Sequence, residues 1–341
     1  MLLNSWSIAL SITSIAVLFV TLIAARTAIR IILYWDRNSD SSRQMNLENE
    51  TWLSSTLMEY GLGFQILSLL LLIMAADSFS AMLAGAMCAT GSFLANDFGI
   101  PSLIVKLVSV FLYGFWIVLH RLDISSYRYP LVQIKYYSLL CLCPLLLADI
   151  YLQSFFLAKL QPDIITSCCG IIFQEPSLGR LNLSPKMASQ LATLFFYLCG
   201  TAIVALTFSL AREKTHKRAR LRKILYSVLT ISHLFFFPFG LWIITNFVSP
   251  YVYGMPHHRC PFCLLQREYL LIGYPLFIFL GLGVFLGISS GMAELIGKKE
   301  ELSTAASHFQ AVAMKISSFL LFIFLLLCAL FPAIYFIKGG E

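Results

Sequence analysis

Eight apolar runs of about twenty to thirty residues each leave this chain few folds to adopt: roughly 8–33, 56–86, 101–120, 133–159, 187–211, 224–247, 263–291 and 311–337. A helix of that length matches the ~30 Å hydrocarbon core of a bilayer. Only 12% of the residues are charged and 59% are hydrophobic, where a soluble domain carries roughly 25% charge. In lipid every backbone polar group must bond within the chain, which leaves helices and closed barrels. A barrel would show short alternating segments, and the sequence has none. The expectation is an all-α, polytopic membrane bundle of about eight transmembrane helices, forming one integral domain over 1–341 and embedded in the lipid bilayer.

The basic residues set the expected topology. Arg26, Arg30, Arg37 and Arg43 lie between the first two runs, and Arg121, Arg128 and Lys135 between the third and fourth. A Lys/Arg-rich stretch from Arg212 to Lys223 separates the fifth and sixth, and Lys298 with Lys299 the last two. The opposite connections hold mainly Lys159, Arg180, Lys186 and Arg259. Short basic loops stay in the cytoplasm, so both termini are expected outside, on the periplasmic side of a bacterial inner membrane. The leading residues carry no positive charge, so the first run reads as a retained helix rather than a cleaved signal. This asymmetry accounts for the net charge of +7 without any nucleic-acid partner.

That orientation sorts the nine cysteines. Cys88, Cys168, Cys169, Cys260 and Cys263 fall on the outer face, which is oxidising in such a setting. Cys141, Cys143, Cys199 and Cys328 lie inside spans, where cysteine serves as a small apolar packing group. Asp77, Asp149 and Lys106 sit within spans at similar depth, on the cysteine side. A charge in lipid is costly unless paired or wetted, so either Lys106 pairs with one aspartate and pins helices together, or the three line a proton path. His233 is mid-span, with no second histidine at its depth to complete a b-type haem, and Leu264 rather than histidine after Cys263 excludes c-type haem, so a hydrogen-bonded interhelical role is expected.

The chemistry concentrates between Met255 and Gly281. Cys260 and Cys263 form a Cys-x-x-Cys pair, with His257, His258 and Arg259 before it and Gln266 and Arg267 after it. Thiol exchange needs one accessible thiolate and a second sulfur that resolves the mixed disulfide. The pair is read as opening the seventh span, where a helix N-terminus and nearby positive charge lower the thiol pKa. Cys168 and Cys169, in the long loop 160–186, form a second redox pair or join other partners. Bridged to each other they would close a strained, reducible ring.

The segment Cys260-Pro-Phe-Cys263-Leu-Leu-Gln266-Arg267, followed by Tyr274-Pro275-Leu276 and a Gly-rich apolar helix, resembles the DsbB-type membrane oxidoreductases. The resemblance covers residues 257–281 only. It implies a dithiol–disulfide oxidoreductase that exchanges electrons between outer-face cysteines and a membrane quinone. Cys260 and Cys263 would react, Cys168 and Cys169 relay, and Arg267 sit beside the quinone, with Gln266 adjacent and Tyr269 among the aromatic residues of an apolar slot. A soluble thioredoxin-like protein is the implied partner on the outer face. That family has four spans and places its second cysteine pair in a later loop, whereas here the other pair comes earlier. A permuted four-helix subbundle over 133–291 reconciles the two, and predicts Cys168 or Cys169 within disulfide reach of Cys260 or Cys263.

Two other readings use the same residues. Cys168, Cys169, Cys260 and Cys263 with His257 and His258 suit a soft or borderline metal such as copper, zinc or mercury, in a membrane carrier or insertion factor. Alternatively, the outer cysteines form structural disulfides in a subunit of a membrane redox complex.

Overall fold

Every regular element among the described residues is helical in the computed structural model, which describes residues 4–36, 41–126, 129–161, 185–212, 219–255, 258–297 and 302–337, with 185–188 and 219–220 described by backbone alone. Among these residues, eight helices are long and apolar enough to cross a membrane. The protein is an integral membrane protein of the all-α class, as its composition requires. Its contacts divide the chain into two units, Met1–Cys168 and Cys169–Glu341.

The first unit contains α1 (Ser5–Tyr34), α2 (Ser42–Ser80), the short α3 (Ala89–Leu94), α4 (Gly99–Ile124) and α5 (Val132–Ala158). Asn4 caps α1 by accepting from the Trp6 amide, and Ser41 caps α2 by accepting from the Gln44 amide. Such caps satisfy backbone donors that a helix start leaves open. The second helix begins well before its apolar run because Thr51, Ser54 and Ser55 turn inward and are buried. Gly99 lets α4 start against the end of α3, where a Cβ would stand 2.1 Å from the Phe93 carbonyl oxygen. The core of the unit is built from Val17, Leu62, Tyr113, Trp116, Leu139 and Leu146, drawn from α1, α2, α4 and α5.

The second unit contains α6 (Pro185–Arg212), α7 (Ala219–Ile243), a π-helical turn (Ile244–Val248), α8 (Ser249–Tyr253), α9 (Gly273–Ile296) and α10 (Ser303–Ile337). The boundary between units falls inside 133–291, so α5 packs in the first unit while α6, α7 and α9 belong to the second. Small residues let α9 approach its neighbours, the usual way helices pack where lipid is as apolar as leucine. A Cβ on Gly283 would meet Leu321 of α10 at 2.8 Å, and one on Gly287 would meet the His233 ring of α7 at 2.3 Å. At one end Glu294 of α9 takes a bidentate pair from Arg222 of α7, at 3.0 and 2.6 Å, and a 3.0 Å bond from Gln310 of α10.

Candidate functional site

The cysteine loop is held by its own backbone. Gly254, left-handed at φ 65°, ends α8, and the Met255 amide donates back to the Pro250 carbonyl at 3.2 Å. Two 3-10 turns follow, Cys263–Leu265 and Arg267–Tyr269. Their amides stay satisfied: Gln266 donates to Cys263 at 3.1 Å and Leu271 to Gln266 at 3.2 Å. Cys260 and Cys263 are both buried, with their sulfurs within 4.8 Å of each other.

The expected helix start at Cys263 is a misreading, because α9 begins at Gly273. Leu270 and Leu271 both stand at φ 56°, a left-handed conformation that breaks a helix of L-residues. Pro275 marks the true start, since proline is accommodated in a first turn where its missing N–H is not needed. The helix dipole acts within its first turn, and both cysteines lie before α9, outside that turn. The loop instead folds back on α9, as a Cβ on Gly273 would lie 2.9 Å from Cβ of Leu264.

The sequence reading missed Tyr253. Its hydroxyl donates to the Cys260 carbonyl, and its ring packs edge-on against His258 at 4.6 Å and Tyr269 at 4.5 Å between centroids. No motif announces it; a tyrosine at a helix end reads as an interfacial residue. Gln266 and Tyr269 are half-buried and Arg267 is exposed. Burial, then the neighbouring Cys263 and Glu268, hold the Tyr269 phenol above its ordinary range, so it is a neutral donor. Leu270 stands 89% exposed and Leu271 is also exposed. Cys168, Cys169 and His257 lie outside the described residues, and with them the expected reach from Cys168 or Cys169 to Cys260.

In the first unit two of the expected intramembrane charges, Lys106 and Asp149, form a pair. Lys106 of α4 (1% exposed) and Asp149 of α5 (0%) are 3.1 Å apart, Nζ to Oδ1. Lys106 also donates to Asp149 Oδ2 at 3.3 Å and to Ser68 of α2 at 2.9 Å, while Gln65 of α2 donates to Oδ2 at 3.0 Å. Asp77 is half-buried farther along α2, where its carbonyl accepts from Ser80 at 2.6 Å.

A second buried pair lies at the other end of the same helices. Lys135, read from the sequence as a loop residue, is 1% exposed within α5, 2.9 Å from Asp123 of α4. Asp123 also accepts from the Leu131 amide at 2.8 Å. His120 stands 3.5 Å from Lys135 and 3.7 Å from Glu59 of α2, and Arg121 lies 2.5 Å from Glu59. Tyr136 contacts Ser54 and Ser55 at 2.7 and 2.9 Å. The signal available was spacing, since Asp123 and Lys135 fall where a tight α4–α5 connection brings two helix ends together.

His233 has the interhelical role expected of it. Nδ1 donates to the Leu229 carbonyl at 2.8 Å, which fixes the tautomer, and Nε2 lies 3.4 Å from Ser317 of α10. Comparison of the chain with protein-family models, with curated proteins and with solved structures gives no match.

Proposed function

We propose that this protein is a membrane dithiol–disulfide oxidoreductase whose reactive pair is Cys260 and Cys263. The supporting observation is that both sulfurs lie within 4.8 Å of each other in one loop at the mouth of a membrane helix. When an S–S bond forms between them, two thiols lose two protons and two electrons. A bound membrane quinone supplies the acceptor, taking up both to become a quinol.

The residues around the pair suit such a ligand. Arg267 and the neutral Tyr269 phenol are hydrogen-bond donors of the kind a quinone carbonyl accepts, and Gln266 offers an amide beside them. Exposed Leu270 and Leu271 provide an apolar lip through which a lipid-soluble ligand reaches the loop. Exchange with a soluble thioredoxin-like dithiol returns the pair to the reduced state and leaves the partner oxidised, with Cys168 and Cys169 as the relay. In this reading the cysteine loop and both termini face the periplasm of a bacterial inner membrane.

Thiol counting by mass tagging tests the reading, with and without reductant and with added quinone, on the wild type, Cys260→Ala and Cys168→Ala. Quinone is expected to convert the reduced pair to a disulfide in the wild type and to leave Cys260→Ala unchanged. Thiols that stay reduced and co-purify with stoichiometric copper, zinc or mercury would install the soft-metal carrier in its place. Disulfides that never cycle would leave a structural role.

A further inference from the structure

One face of α4 carries ionisable and hydroxyl groups along nearly its whole length. Lys106, Ser109, Tyr113, His120 and Asp123 are all buried, and intervals of three, four and seven residues put them on one side of a helix. From Lys106 to Asp123 the helix rises about 25 Å, close to the ~30 Å of a bilayer core. At one end stand Lys106 and Asp149, with Gln65 and Ser68 of α2. At the other stand Asp123 and Lys135, with His120, Glu59 and Arg121. The middle is closed by Leu62, Leu139, Leu146 and Val17, and Tyr113 belongs to the same cluster.

Packing alone does not ask for this arrangement. Ser102 Oγ is buried without a hydrogen-bond partner among the described residues, Asp149 Oδ1 is held by the Lys106 ammonium at 3.1 Å, and the buried Tyr113 hydroxyl has the Ser109 hydroxyl beside it. Tyr113 also lies within electrostatic range of Asp149. Buried hydroxyls following one face of α4 between two ion pairs, at Ser102, Ser109 and Tyr113, suit a file through which protons pass. From α1 the described polar contact at this level is neutral, Ser14 with Gln153 of α5 at 3.0 Å.

We infer that the first unit is a transmembrane proton pathway, with Lys106–Asp149 and Lys135–Asp123 as relay stations on either side of an apolar collar that Tyr113 crosses. A proton arriving at the first station forms an O–H bond on the Asp149 carboxylate and leaves the Lys106 ammonium without its counter-charge. That imbalance in a dry interior drives the proton onward. The Tyr113 oxygen accepts it while releasing its own hydroxyl proton to the far side. Water admitted to the file bridges to His120 and Asp123, from which one proton leaves. One proton enters, one leaves, and no electron moves. This pathway goes beyond the thiol chemistry and does not rest on it.

The test uses the full-length protein in liposomes containing a pH-sensitive dye, with a potassium diffusion potential imposed by valinomycin. The wild type is expected to acidify the lumen faster than protein-free vesicles. Tyr113→Phe keeps the ring and is checked for native helicity and thermal stability; its rate is expected to fall to the protein-free level, as is that of Asp149→Asn. The exchanged pair Lys106→Asp/Asp149→Lys preserves the attraction but moves the carboxylate, and is likewise expected to lose flux while remaining folded. A wild-type rate equal to protein-free vesicles overturns the pathway. So does a rate that survives in folded Tyr113→Phe, or uptake that follows an imposed sodium gradient in place of the proton gradient.

Discussion

A lysine and an aspartate that are almost wholly removed from solvent, as Lys106 and Asp149 are, stabilise a structure only as a pair. Removing one partner leaves an uncompensated charge, which costs about 3–5 kcal/mol in a buried setting. Replacing both with apolar residues of similar size removes the desolvation penalty along with the attraction, and is often neutral. Lys106→Ala is therefore expected to lower stability by about 3–5 kcal/mol, and Lys106→Met/Asp149→Leu to recover most of that loss. Unfolding in mixed detergent micelles, followed by circular dichroism, measures both; a double variant as unstable as the single would contradict the account. The sequence exposed this pair because charges inside an apolar run stand out. Lys135 and Asp123 did not stand out: at the end of a run, a lysine is indistinguishable from a topology-setting loop residue until its partner is seen.

Helices were legible in the sequence as runs, and their ends were not. Apolar length fixed which segments cross the membrane, but α2 continues as a helix through the polar residues before its run, and α9 starts at Gly273 rather than at the cysteine pair. In the second case a proline in the first turn was the better marker than the motif that drew attention. The glycines of α9 now have separable roles. Gly287→Leu is expected to drive α9 away from α7, because its Cβ alone would stand 2.3 Å from the His233 ring. The overpacking cost is about 1–3 kcal/mol or more. Gly281, with nothing within 4 Å of an added Cβ, should accept Gly281→Ala with no loss. Thermal unfolding of both variants in detergent makes the comparison, and equal effects at the two positions would refute the packing argument.

Across the whole molecule, separate cores in Met1–Cys168 and Cys169–Glu341 imply separable responses to mutation. Trp242 is the single tryptophan of the second half, so its fluorescence reports on that unit once the others are replaced by phenylalanine. Lys106→Ala and Gly287→Leu are expected to add within about 0.5 kcal/mol when combined, with the Trp242 transition shifted by the second and not by the first. A shared transition moved equally by both would show a single cooperative block. The crossed ion pairs also constrain how the protein is made. Helix α4 carries Lys106 and Asp123, helix α5 carries Asp149 and Lys135, and each charge finds its partner on the other helix. Either helix released alone from the insertion machinery would bring one unmatched charge into its apolar interior, Lys106 in α4 or Asp149 in α5, at up to about 2.5–3.5 kcal/mol near a helix centre, while Asp123 and Lys135 lie at helix ends. Entering the bilayer together, as a hairpin already closed, spares both helices that cost.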